Sequence, residues 1–377
     1  MTSRPIVATL VAATIATVYP GFLIGALSVQ VSDEFDVGAA TYGWALGGFF
    51  LAATVTSVFG GRLVQRIGPR RQITVALGAT MLAQIGIVLF SSSFGVVVGL
   101  LAVCGVVNAA NQAAINLALT QAQLPRLGLA IALKQSGMPS ASLLSGLAVP
   151  TLALTLGWRA AYLVGAVIAA AALVLVVRWI APVPPSERLK VKPVSSPRAL
   201  RWAFVAGAFL AFSAGALNAW IVASGVDAGL SEGAAGVMLS LGAACGIAVR
   251  LSVGARVDAM RSRPFMAAAG ASAVGAVGLL ALGGGRGAML HVGATLVAFA
   301  FGWVWPVFTN FGVMRTNGRA SGAASGVTQM GVYLGVFVAP LATGWLIDHY
   351  GFATMWTVTA VAGLCGAASL LRIADEF

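Results

Sequence analysis

Twelve apolar stretches, each about as long as a bilayer-spanning helix, dominate this sequence. They run over roughly 6–28, 41–61, 72–92, 95–119, 127–152, 158–180, 201–223, 232–252, 264–283, 288–312, 321–344 and 353–371. A hydrocarbon core about 30 Å thick is crossed by roughly 20 helical residues. Stretches of that length exceed the strands and amphipathic helices of a soluble domain. Composition agrees, with 59% hydrophobic and 8% charged residues, where a soluble domain carries about a quarter charged. A transmembrane barrel is excluded, because barrel strands alternate polarity over about 10 residues. The expected fold is therefore an all-α polytopic membrane protein with twelve transmembrane helices. The first stretch follows Arg4 and mimics a signal peptide. It is too long for the apolar region of one, and no small-residue cleavage site closes it, so it is read as the first crossing.

The formal net charge of +12 would point to nucleic acid in a soluble protein; here topology explains it. Of the 22 lysines and arginines, only Arg159 and Arg286 fall in connections after odd-numbered stretches, and only Lys134 and Arg250 lie well inside a stretch. The others lie at the chain ends or after even-numbered stretches, among them Arg62, Arg66, Arg70, Arg71, Arg126, Arg188, Lys190, Lys192, Arg256 and Arg315. The positive-inside rule then places both termini in the cytoplasm, in a cytoplasmic (inner) membrane. The expected partners are the lipid bilayer and a small solute, with no nucleic acid, and the chain is expected to act as a monomer.

Enzymatic chemistry finds no foothold. The three cysteines (Cys104, Cys245, Cys365) sit in apolar stretches without metal or redox spacing, and are read as small packing residues. The acids all fall in connections or at ends, and the two histidines lie near the outer surface. No catalytic set, cofactor or metal site is expected. The "GGGRG" run near Gly285 is a turn rather than a phosphate loop, since no strand precedes it.

The chain also repeats itself. The longest connection, "APVPPSERLKVKPVSSPRAL" at 181–200, is rich in proline and charge and divides the stretches six and six. "GRLVQRIGPRR" after the second stretch answers "GARVDAMRSR" after the eighth, "LKQSG" answers "VTQMG", Asn116 answers Asn310, and "GWRAAYLVGA" answers "GFATMWTVTA". Such a six-helix repeat is a transporter signature, with the solute site between the repeats near mid-membrane. The expected organisation is a bundle over 1–180, a cytoplasmic linker over 181–200 and a second bundle over 201–377.

On these features the whole chain resembles the major facilitator superfamily. The most specific likeness is the connection after the second stretch, Gly61-Arg62-Leu63-Val64-Gln65-Arg66-Ile67-Gly68-Pro69-Arg70-Arg71. It resembles the family's G-x-L-a-D-R-x-G-R-R/K pattern at Gly61, Leu63, Arg66, Gly68, Arg70 and Arg71, and departs at Gln65, where the family usually has aspartate. The second copy, which begins at Gly254, keeps the acid as Asp258. The resemblance implies two pseudo-symmetric six-helix bundles and a cytoplasmic latch formed by Gly61, Gln65, Arg66, Arg70, Gly254 and Asp258. An acid there caps a neighbouring helix start while the bundles are closed on that side, which biases the conformational equilibrium. Gln65 makes the first copy the weaker latch.

The membrane interior thus offers two cations and no carboxylate, which suits an anionic cargo. Arg250, one turn before Gly254, is similar in place to the carboxylate-binding arginine of the family's monocarboxylate carriers; a guanidinium fork matches a carboxylate. Those carriers have an acidic partner where this chain has Gly246, which puts proton coupling in doubt. Lys134 lies about 12 Å past Arg126 at 1.5 Å per residue, too deep to snorkel readily, with Gln135, Ser136 and Ser140 beside it. Further candidates for the solute site are Asn108, Asn111 and Gln112 on one stripe of the fourth stretch, Tyr19, Trp303, Trp305, Asn310, Gln329 and Tyr333. Tyr42, Trp44 and Trp220 read as an interfacial aromatic belt. The expected activity is transport of a small organic anion, a carboxylate by preference, through alternating access. The alternative is an exporter of drugs or other amphipathic molecules. Against it, "SGMPSASLLSG" in the fifth stretch sets glycine and proline in the wrong relation for the antiporter motif.

Overall fold

A computed structural model describes residues 3–122, 127–182, 197–256, 264–285, 287–317 and 321–374. Among these residues the chain forms helices and no strand. A spanning segment without water must satisfy its own backbone, and a helix does so. The first crossing is α1 (Ser3–Ala26), extended by the short α2 (Ser28–Phe35). Then come α3 (Ala39–Ile67), α4 (Pro69–Phe90) and α5 (Phe94–Gln121). The fifth crossing is broken into α6 (Leu127–Gln135), α7 (Gly137–Ala148), a π-helical turn (Val149–Ala153) and α8 (Leu154–Leu156), and α9 (Trp158–Trp179) is the sixth. The second set opens with α10 (Pro197–Asp227), α11 (Glu232–Arg256) and α12 (Pro264–Gly284). Its fourth member is split into α13 (Ala288–Gly302) and α14 (Trp305–Asn317). Finally α15 (Ser321–Ala374) bends at Gly351, where φ 76° and ψ 176° are not helical, so it makes two crossings.

Ten described spans are long and apolar enough to cross a bilayer, the last of them, Val327–Ala374, being the double one. The 29-residue α3 supplies the remaining crossing. An even number of crossings puts both termini on one face, called here the terminal face; the other is the distal face. The apolar stretches anticipated the crossings, but two of them hid breaks. Those breaks fall near Pro139 and Pro306, where a ring replaces a backbone N–H.

The first six crossings meet the last six along a long seam in the distal half of the molecule. A Cβ on Gly146 of α7 would lie 2.4 Å from the Gly236 carbonyl oxygen of α11, and one on Gly236 would lie 2.6 Å from that of Gly146. Only glycine permits two backbones this close, the usual device where helices pack in lipid. Likewise α3 and α15 touch through Gly43 against the Pro340 carbonyl and Gly344 against that of Ala39. Polar contacts follow the same seam: Ser142 Oγ donates to Asn218 Oδ1 (2.7 Å) and Ser240 Oγ to the Leu143 carbonyl (2.9 Å). Tyr42 and Trp220 belong to it too. They are buried, with ring centroids 5.9 Å apart across the seam, which corrects their assignment to the interfacial belt. Trp44 is exposed, as a belt residue is. The distal half is therefore shut.

Candidate functional site

The two broken crossings meet at Arg250. An α-helical carbonyl accepts the N–H four residues on; for Gln135 that residue is Pro139, which has none. The helix interrupts at Ser136, whose N–H reaches back to Ala132 (2.9 Å) and Leu133 (3.1 Å), and the Gln135 carbonyl is left over. Arg250 Nη1 donates to it at 2.5 Å. In the tenth crossing the Val307 N–H bonds the Val304 carbonyl (3.1 Å) instead of Trp303. The stranded Trp303 carbonyl accepts Arg250 Nε at 2.9 Å and also Nη2. The guanidinium carbon lies 5.1 Å from the Trp303 ring centroid. One arginine, 1% exposed, thus staples α6 of the first set to α11 and to the α13–α14 break of the second. Three of its five N–H donors are engaged, so two remain.

Lys134 is the residue before the stapled Gln135. It is 8% exposed, and among the described residues its ammonium makes no hydrogen bond or ion pair. A buried charge is ordinarily paired, because burying an unpaired one costs several kcal/mol. Lys134 and the spare Arg250 donors therefore place cationic hydrogen-bonding capacity at the junction of the two sets. Broken helices that converge between repeats are where solutes bind in secondary transporters.

The other candidates divide. Trp303 lies at this junction, with its ring 5.7 Å from Phe22 of α1 and 5.8 Å from Phe299. Phe22 was not singled out in the sequence because a phenylalanine in an apolar stretch carries no signal of its own. Trp305 is buried with an unpartnered indole N–H. Asn108 and Asn111 are buried and face α1: Asn111 Nδ2 donates to Ala13 O (3.1 Å) and Thr17 Oγ1 (2.9 Å), and Thr17 Oγ1 donates to Asn108 Oδ1 (3.2 Å). Gln112 Nε2 reaches Asn108 Oδ1 (3.4 Å) and leaves its own carbonyl oxygen unpaired. Tyr19 turns away from the junction, its hydroxyl toward the Ala161 carbonyl of α9 (3.4 Å) and its ring against Gly165. Tyr333 is buried, and Gln329 and Asn310 are partly buried.

Of the expected latch, Asp258 and the side-chain environments of Gly61 and Gln65 lie outside the described residues. Arg66 is exposed. Arg70 Nη2 donates to the Val177 carbonyl in the last turn of α9 (2.8 Å), a C-terminal capping contact inside the first set. Gly254 is pressed against α6, where a Cβ would meet that of Ala132 at 2.3 Å.

On the distal side Arg159 pairs with Glu34 (2.6 Å) and also holds Ser91 Oγ (2.8 Å), tying three connections of the first set together. The Arg159 hydrogen bond is the main cause holding the Glu34 carboxyl below its usual range. Among the described residues no cluster of His, Cys, Asp or Glu is placed to bind a metal.

A family model described as Major Facilitator Superfamily matches residues 6–340. A comparison with curated proteins returns no match.

Proposed function

The chain belongs to the Major Facilitator Superfamily, a family of membrane transporters, and on that premise we propose that it carries a small organic anion, a carboxylate by preference, by alternating access. The observation that carries this proposal is Lys134, 8% exposed and without an ion pair among the described residues, next in sequence to the Gln135 whose carbonyl Arg250 holds. An anion at the junction would neutralise Lys134 and take up the free Arg250 N–H groups. Because Lys134 belongs to the first set and Arg250 to the second, the same anion would draw the two sets together. In this proposal residues 1–180 and 201–377 rock as two bodies about the linker at 181–200, and the terminal face is cytoplasmic. The shut distal half is then the conformation in which solute exchanges with the cytoplasm.

The test is uptake or counterflow of labelled lactate, succinate and benzoate in proteoliposomes, beside thermal shift of the purified protein with each. Transport of at least one is expected, lowered tenfold or more by Lys134→Ala and partly kept by Lys134→Arg. Transport unchanged in Lys134→Ala would refute the role of the lysine. One observation favours the second reading, export of amphipathic molecules: most Arg250 donors are spent on backbone carbonyls, as in a purely structural cation. Efflux of hydrophobic dyes that is indifferent to Lys134 would support it.

A further inference from the structure

Two contacts between the sets on the distal face use a carboxylate. Asp348, in the last turn of α15 before the Gly351 bend, accepts the Ala39 N–H on Oδ1 (3.0 Å) and the Ala40 N–H on Oδ2 (2.8 Å). These are the first two N–H groups of α3, which have no partner within their helix. The α3 N-cap is Gly38, with no side chain to cap them. Asp348 fills that place from the other set, with its negative charge at the positive end of a helix dipole. No described cation lies within ion-pair distance of it. The adjacent His349 bonds the Trp345 carbonyl (2.9 Å) and stacks on the Trp345 ring (4.6 Å) instead. The second contact joins Gln30 of α2 to Glu232 at the start of α11.

The surrounding sequence gives Asp348 a counterpart. Gly344-x-Leu346-x-Asp348-x-x-Gly351 repeats the spacing of Gly61-x-Leu63-x-Gln65-x-x-Gly68. The closing glycines share a conformation, φ 81° and ψ 155° at Gly68 and φ 76° and ψ 176° at Gly351. Each links two helices without a loop. The same local device thus occurs at both faces, and of these two the distal one carries a carboxylate where the terminal one has Gln65.

We propose that Asp348 is a distal latch, which holds that face closed by capping α3 across the two sets. The inference rests on the rocking-bundle reading above. Opening the distal face must pull α15 from α3, which exchanges the capping of two N–H groups by a carboxylate for hydration by water. The latch therefore biases the resting protein toward distal closure, while Gln65 at the terminal face contributes no matching charge.

The experiment reads conformation rather than transport. Spin labels are placed on cysteines at Ser92 and Met289, exposed distal positions in the first and second sets. Cys245 and Cys365 are replaced by alanine, and Cys104 is fully buried. Distance distributions are then measured in nanodiscs. Asp348→Ala should raise the ratio of distal-open to distal-closed protein about tenfold, and Asp348→Asn, which keeps one acceptor, about threefold. Ala39→Pro removes one of the two donors from the other side of the contact. Proline is tolerated at this first helical position, and Gly38 is already extended at φ −69° and ψ 166°. It should raise the ratio about threefold. Two populations unmoved by all three variants would overturn the latch alone. A single population, unchanged by any variant or by added carboxylate, would overturn both the latch and the rocking-bundle reading.

Discussion

Arg250→Met is the most informative single change, because the structure fixes what it leaves behind. Methionine fills much of the stem volume and offers no donor. The lost bonds are partly offset by no longer burying a guanidinium. What remains is two buried carbonyls, Gln135 and Trp303, without partners. At about 1–3 kcal/mol for each stranded group, the loss is about 2–6 kcal/mol. At roughly 2 °C per kcal/mol for a chain of this size, thermal unfolding in detergent, followed by tryptophan fluorescence, should fall by roughly 4–12 °C. Pro139→Ala then tests the cause. It supplies the missing N–H, which can close the helix onto the Gln135 carbonyl. Added to Arg250→Met, it should recover about 1–3 kcal/mol, the cost of one carbonyl. In the wild-type background the new N–H only competes with Arg250, so its effect there is smaller. The two changes should thus be non-additive. If the double variant equals the sum of the singles within about 0.5 kcal/mol, the proline does not free the carbonyl that Arg250 holds, and the reasoning is wrong.

Three further outcomes follow from the same contacts. Gly236→Ala pushes a methyl group to 2.6 Å from the Gly146 carbonyl and 2.8 Å from Val149 Cβ, so the distal seam should loosen, read as faster labelling of a cysteine at Ser142 by a membrane-impermeant maleimide. Asn111→Leu removes two bonds to α1 and should cost about 1 kcal/mol of stability, with substrate KM unchanged within about twofold, since the network joins helices rather than facing the junction. Glu34 has its pKa lowered from 4.5, chiefly by the Arg159 hydrogen bond, so its contribution is present above the unfolded value and lost as pH falls through the lowered one. Glu34→Gln should therefore destabilise the protein at neutral pH and match wild type in acid.

The crossings were legible because the bilayer writes a long-period signal: about 20 apolar residues per helix whatever the neighbours. The site was legible only in part. Lys134 and Arg250 stood out as cations without a topological reason, and the structure bonds Arg250 to the carbonyl of Gln135, the residue after Lys134. Their partners could not be read, because Arg250 binds backbone, and a carbonyl carries no residue identity. The available signal was Pro139, four residues after Gln135, which marks a stranded carbonyl once the segment is known to be helical. Tyr19, Asn108 and Asn111 show the opposite case. A polar stripe on a helix has two possible owners, a neighbouring helix or a cavity, and spacing alone cannot choose between them.

The arrangement of charge supports a division of labour. A buried arginine tied to two carbonyls gains little from moving, since each donor it withdraws strands a partner. A lysine without partners has nothing to lose. Anion binding would therefore begin at Lys134, with Arg250 contributing its spare donors first and its backbone bonds only if the breaks at Ser136 and Trp303 rearrange. The Gln135 carbonyl belongs to the first set and the Trp303 carbonyl to the second. Releasing Gln135 alone would remove one tie between the sets, leaving the Gly254–Ala132 packing, while Arg250 stayed anchored in its own. An anion that competes for Arg250 Nη1 would then weaken one tie between the sets and supply another through Lys134. Binding the cargo would thereby be coupled to the motion that carries it.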